Sequence, residues 1–232
     1  MFSFGFFAFD WTILLVIPGL IISIWAQIKV STTFNKYSKI TTVKGLSGYG
    51  AARRILDANG LQNVKIEQIH GELTDHYDPR ANVIRLSESV YHATSPAAIG
   101  VAAHEAGHAI QYAKGYAPIK VRAKLVPVTN IGSMLSMPIF IIGLIFAFPP
   151  LTIAGIILYS LVALFQLVTL PVEFDASSRA MSVLQSSGIL NDEELSASKK
   201  VLSAAAMTYV AALLTSLLTL LRLLILANGR RR

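Results

Sequence analysis

Hydrophobic residues in this chain gather into four long runs separated by two polar stretches. Residues 6–28, from Phe6 to Ile28, are apolar over a length that crosses about 30 Å of hydrocarbon, with Trp11 and Trp25 where interfacial aromatics belong. Two further runs, about 125–147 and 151–170, are joined by Phe148-Pro149-Pro150, a link short enough only for a tight hairpin. A fourth run, about 203–227, is interrupted by Arg222. The pattern predicts an α-helical integral membrane protein with about four transmembrane helices. It divides the chain into an N-terminal anchor (1–28), a polar domain (29–123), a transmembrane hairpin (124–170), a polar helical segment (171–202) and a C-terminal transmembrane helix with a basic tail (203–232).

The polar domain reads as a small α+β unit. Ser47 opens a short helix that Asn59-Gly60 stops. Residues 61–69 alternate weakly, with Val64 and Ile66 against Lys65 and Glu67, and predict a strand. Residues 75–82 are rich in turn formers, and Val83-Ile84-Arg85-Leu86-Ser87 predicts a second strand, so the expectation is an edge-strand hairpin. Ser95-Pro96 is a cap and first-turn pair that opens a helix running towards Lys114-Gly115.

Composition supports the membrane reading, since 53% of residues are hydrophobic and 14% charged, against about a quarter charged in soluble proteins. The net charge is +7, but the basic residues lie between apolar runs rather than in a patch interleaved with aromatics, which excludes a nucleic-acid surface. Thirteen Lys and Arg fall between Lys29 and Lys124, while the turn 146–151 carries no charge. No positive segment precedes the first run, which therefore reads as an uncleaved anchor. The bias predicts a multi-pass cell-membrane protein with 29–123 and 171–202 in the cytoplasm and the termini outside. Arg230, Arg231 and Arg232 then lie outside against that bias, as a short tail held by anionic headgroups. There is no cysteine, so a metal has to be held by histidine and carboxylate.

That constraint matters because the predicted helix contains His104-Glu105-Ala106-Gly107-His108, an H-E-x-x-H sequence. Histidines four apart stack one turn above each other and can reach one ion. Glu105 is rotated about 100° from His104, beside that ion, where its carboxylate can take a proton from water. The small apolar residues around the motif, Ala102, Ala103, Ala106 and Ala109, suit a buried helix rather than a solvated one. Catalytic Zn2+ usually has three protein ligands. Glu173 is the candidate third ligand, because two spans separate it from His108 and return the chain to the same side. Asp175 is the second choice, and Asp192, Glu193 and Glu194 read as a solvated first turn.

The motif, the strand before it, and Glu173-Phe174-Asp175-Ala176 beyond a membrane hairpin resemble the membrane gluzincins, which include the HtpX-type stress proteases and the CAAX prenyl proteases. Leu73-Thr74-Asp75-His76-Tyr77-Asp78-Pro79 followed by Arg85-Leu86-Ser87 is similar, more closely, to the neutral zinc metallopeptidases of bacteria, small four-span membrane proteins. The resemblance implies a zincin-like domain and a zinc-dependent peptidase. The HtpX pattern also implies an aspartate, four residues beyond the glutamate ligand, that supports a zinc histidine. Here that position is Ser177, so the supporting carboxylate is absent or comes from Asp175 or Asp75. His76 and Tyr77 have two readings each, turn residue or hydrogen-bond donor to the transition state, and His76 is carried forward as a candidate catalytic residue. Arg179 reads as a structural ion pair or an oxyanion contact, and His70 and His92 as surface residues.

The expected function is zinc-dependent hydrolysis of peptide bonds in membrane-associated or unfolded protein segments at the cytoplasmic face of the bilayer. Zinc sits on His104, His108 and Glu173, Glu105 is the general base, and the edge of the strand Val83–Ser87 pairs with an extended substrate. One alternative is a non-catalytic, zinc-stabilised membrane scaffold that recruits a partner. Another is a transporter with Asp10, Asn130 and Arg222 embedded in its spans, weakened because the main ionisable cluster lies outside them.

Overall fold

The computed structural model describes residues 11–229. The expected start of the first span at Phe6, Asp10 and the Arg230–Arg232 tail lie outside the described residues. After a short 3-10 turn, Trp11–Leu15, the elements are α1 (Ile17–Tyr37), α2 (Gly48–Ala58), β1 (Lys65–Ile69), β2 (His76–Asp78), β3 (Val83–Ser87), α3 (Glu88–Tyr91), α4 (Pro96–Ala113), α5 (Ala117–Ile145), α6 (Pro149–Ser186) and α7 (Asp192–Gly229). The segments Trp11–Tyr37, α5, α6 and α7 are each long and apolar enough to cross a membrane.

The chain divides into two compact units. One takes in the described residues up to Trp25, Arg122–Val168 and those from Tyr209 onward. Its helices meet at small residues. A side chain at Gly155 would strike the backbone of Phe140, and one at Gly19 would strike Thr215. Ser23 and Thr215 share a hydroxyl hydrogen bond of 3.1 Å, and Arg222 donates from Nε to Thr12 Oγ1 at 3.2 Å.

The other unit takes in Ala26–Val121 and Thr169–Thr208. Its core is Leu56, Ile84, Leu86, Ile99 and Leu184 with the alanines of α4, all fully or almost fully buried. Local chemistry starts its helices where the sequence places them. Ser47 accepts from Gly50 N at the head of α2, and Ser95 accepts from Ala98 N at the head of α4, with Pro96 in the first turn.

The sheet departs from the expected hairpin. Its order is β1-β3-β2, with β1 parallel and β2 antiparallel to β3. Val83–Ser87 is therefore the central strand, with no free edge to offer. Its burial fits: Val83, Ile84, Leu86 and Ser87 are all buried, as a strand paired on both sides requires. The edge strands are β1 and β2, and β2 forms inside the turn-rich stretch. Asp78 closes the turn after β2, accepting from Arg80 N, Ala81 N and Arg85 Nη1. These bonds hold its carboxyl below the usual range. Glu194, expected in a solvated turn, is buried instead. It accepts from Asn191 N and Val43 N, while Asn191 Oδ1 accepts from Glu194 N, a reciprocal cap at the start of α7.

Candidate metal centre

Two helices build the centre. On α4, the alanines at 102, 103, 106 and 109 are 0–2% exposed, so this helix runs through the core of its unit. Gly107 lets α6 approach: a Cβ there would lie 2.6 Å from the Ala176 carbonyl oxygen. That close crossing brings the face of α4 bearing His104 and His108 against the face of α6 bearing Glu173. On α6, Pro171 has no N–H to return to the carbonyl of Leu167, one turn earlier, so the helix enters the centre with that bond missing.

His104 Nε2 lies 3.2 Å from Glu173 Oε2, and His108 Nε2 lies 3.6 Å from the same oxygen. One ligand atom from each of the three residues lies within 4.8 Å of the other two. A tetrahedral ion with bonds of about 2.0–2.1 Å needs ligand atoms about 3.3 Å apart, so the two imidazole-to-carboxylate spacings match a zinc site. The donor set also fits in chemistry, with two imidazoles and one carboxylate and no thiolate. The two rings meet edge to face, with centroids 4.7 Å apart.

Burial sharpens the charges. Glu173 is 2% exposed and His108 8%. Burial alone pushes His108 down, but the Glu173 hydrogen bond and the nearby Glu105 and Glu173 charges leave it above its ordinary value. Burial alone would raise Glu173, yet the hydrogen bonds from His104 and His108 hold it well below the carboxylate range. The centre is thus built around an ionised carboxylate that needs cationic company. Glu105 is buried, at 7% exposed, and among the described residues no hydrogen bond reaches its carboxylate.

No carboxylate stands directly behind either histidine, the first of the two alternatives that the resemblance left. Neither Asp175 nor Asp75 touches an imidazole. Ser177 Oγ lies 3.1 Å from His104 Nδ1, and Gln111 Oε1 lies 3.0 Å from His108 Nδ1. Asp175 accepts from Gln111 Nε2 and from Arg179, whose Nε and Nη2 lie 2.6 and 3.2 Å from its two oxygens. Arg179 is therefore engaged in an ion pair, and its guanidinium sits over the Tyr116 ring at 5.7 Å. Asp75 accepts from Ser87 N and Oγ instead.

His76 lies on β2, exposed, and is not among the clustered ligands. Its Nδ1 donates to Thr74 O at 2.9 Å. Tyr77 donates to Asn82 Oδ1 at 2.9 Å and packs its ring against Tyr112 of α4, with centroids 5.7 Å apart. His70 and His92 are exposed and are not among the clustered ligands, with His70 paired to Glu88 at 2.6 Å. Sequence reading passed over Gln111 altogether, although its place three residues after His108 sets it on the same helix face.

A family model described as "Putative neutral zinc metallopeptidase" matches residues 12–228. The chain is similar to the "Putative membrane protease YugP" of Bacillus subtilis strain 168, with 49% identity over 219 residues covering 94% of this chain and 97% of that protein. No solved structure gives a significant match. A match over nearly the whole chain, at that identity, means that this protein belongs to the neutral zinc metallopeptidase family.

Proposed function

We propose that the protein is a membrane-embedded, H-E-x-x-H zinc endopeptidase that holds its metal on His104, His108 and Glu173 and cleaves peptide bonds at the cytoplasmic surface of the bilayer. The observation that carries this reading is the convergence of both imidazole Nε2 atoms on one buried carboxylate oxygen, with an unbonded Glu105 alongside. A zinc ion bound there supplies Lewis-acid polarisation of a carbonyl and acidification of water. Glu105 takes a proton from the attacking water on its carboxylate oxygen and delivers it to the leaving amine nitrogen.

Substrate binding is assigned to β2 rather than to β3, because β2 is an edge of the sheet and packs beside α4 through Tyr77 and Tyr112. An extended segment added there gains main-chain hydrogen bonds irrespective of sequence. This suits unfolded or membrane-associated substrates. His76 projects from that strand as the proposed oxyanion donor. Its Nδ1 proton is committed to the Thr74 carbonyl, so donation from Nε2 requires the doubly protonated ring. The cytoplasmic placement rests on the thirteen Lys and Arg between Lys29 and Lys124. Glu173 follows the last apolar residues of its run by three positions, at the margin where such a substrate would emerge.

Glu105→Gln tests the reading. Glu105 is not a ligand in this scheme, so purified variant should hold about one zinc per chain, keep its fold, and lose hydrolysis by a factor of about 10² to 10⁴ in kcat. Unchanged hydrolysis by that variant, in a preparation free of other proteases, would remove the enzyme and leave the zinc-stabilised scaffold.

A further inference from the structure

Gln111 is completely buried and makes three hydrogen bonds, an unusual commitment for a residue with no place in the ligand set. Its Oε1 faces His108 Nδ1 at 3.0 Å, and its Nε2 lies 2.8 Å from both Val172 O and Asp175 Oδ2. We propose that Gln111 is a positioning residue that fixes His108 in its metal-binding tautomer and registers it against the helix carrying Glu173. The inference rests on the zinc-site reading above.

The chemistry follows from which atoms can donate. A backbone carbonyl and an ionised carboxylate only accept, so the end of the amide facing Val172 and Asp175 has to be the NH2 group. Oε1 is then turned towards His108 and can only accept. His108 must therefore donate from Nδ1, so the neutral, metal-binding ring carries its lone pair on Nε2, the position that holds a proton for Glu173 in this structure. That nitrogen is the one facing Glu173 Oε2 at 3.6 Å. The opposite tautomer would put a proton where the metal has to bind and would leave a buried carbonyl oxygen facing a ring lone pair.

The orienting group is itself anchored. Asp175 is held by two bonds from Arg179, and Arg179 rests on Tyr116. The chain Arg179–Asp175–Gln111–His108 carries a negative charge to one imidazole through an amide. His104 Nδ1, in contrast, meets the neutral hydroxyl of Ser177. The bond to Val172 O adds a second function, because Val172 directly precedes Glu173. Rotation of Gln111 therefore disturbs the orientation of His108 and the backbone beside the third ligand together.

The experiment measures zinc affinity of the full chain in lipid nanodiscs by competition with a chelator of known affinity, alongside the thermal midpoint of the zinc-free protein. Gln111→Leu should weaken zinc by about 10- to 100-fold, the usual effect of losing a partner behind a metal-bound histidine. The double variant Gln111→Glu with Asp175→Asn exchanges amide and carboxylate. Either oxygen of the new carboxylate can accept from His108, so zinc affinity should recover well above that of Gln111→Leu, short of wild type by what the Val172 bond contributes. A merely structural glutamine would predict no such rescue, because the double variant loses the NH2 donor to Val172. Wild-type affinity in Gln111→Leu, or binding by the double variant as weak as in Gln111→Leu, overturns the inference while leaving the zinc site intact. If Gln111→Leu does not fold, the double variant decides alone: retained binding supports the role, and loss of binding overturns it. Failure of the wild type to bind zinc overturns the proposed function, and the role of Gln111 with it.

Discussion

In the apolar helical unit, the hydroxyls of Ser133 and Ser160 turn back onto carbonyls three residues earlier in their own helices. In the polar unit, His104, His108 and Gln111 reach from α4 to α6 for their partners. The apolar unit presents Leu20, Ile24, Ile131, Met134 and Ile141 outward, and its bonds between elements run through the hydroxyls of Ser23, Thr215 and Thr12. No more than 28% of the apolar window of any candidate span is buried against protein. The polar unit does the reverse, with its most demanding charges inside. Glu105, His108 and Glu173 lie among alanines, while exposed lysines and arginines cover its surface. Two solvents account for the contrast. A surface that meets lipid gains nothing from charge, whereas a water-facing surface leaves the interior free to concentrate it around a ligand.

The largest expected effect breaks the polar interior. Glu173→Gln replaces the ionised oxygen shared by both histidines with a neutral amide, a poor ligand for a dication. Bound zinc should fall from about one per chain to background, and hydrolysis should go with it. Asp175→Asn, one shell further out, should keep the metal, since an asparagine oxygen still accepts from Gln111. Metal analysis of the two purified variants checks the order, and the reverse order would mean that the third ligand is Asp175.

A smaller effect comes from testing the two surfaces. Met134 is 68% exposed on α5, near the middle of the run 125–147. Met134→Asp should cost about 2.5 to 3.5 kcal/mol of membrane insertion, the penalty for a charge at mid-span. Asn63→Asp, exposed on the polar unit, should stay within about 0.5 kcal/mol, as exposed substitutions do. Membrane-fraction yield with thermal unfolding measures both. Equal tolerance of the two changes would show that Met134 meets water.

The sequence carries much of this contrast because its signals are local. Four apolar runs, the Ser47 and Ser95 caps and the four-residue spacing of His104 and His108 depend on neighbours within one or two turns. Strand order does not. Residues 65–69 pair in parallel with 83–87, and the three-residue β2 joins on the other side from within a turn-rich stretch. Nothing local separates that arrangement from a hairpin. Glu194 misled for the same reason: an acid in a first turn reads as solvated, and its burial depends on Val43, 151 residues away. Gln111 left a spacing but no chemical signature, since a helical glutamine is ordinary until Val172 and Asp175 are placed against it.

The smallest expected effect concerns Asp75, a carboxylate inside the polar unit that belongs to neither the ligands nor their supports. Burial raises it above its ordinary value of 3.8, the hydrogen bonds from Ser87 N and Oγ oppose that rise, and the charge of Glu105 adds to it. The sign follows from proton binding. A carboxyl raised on folding binds a proton more readily in the native state, so it lowers stability as pH rises from 3.8 through its folded value, and that loss persists at neutral pH. Asp75→Asn removes the half-buried charge and the repulsion with Glu105 but keeps an oxygen for Ser87 N. The variant should match or exceed the wild type at pH 7 by under about 1 kcal/mol, and the wild type should recover relative to it as the pH is lowered towards 4. Thermal midpoints of the two proteins across pH 4–8 give the difference directly, with effects common to other carboxylates cancelling. A deficit in Asp75→Asn that stays constant across the range would mean that the Ser87 bonds outweigh the half-buried charge. The polar unit would then hold a hydrogen-bonded charge away from its metal centre as well as at it.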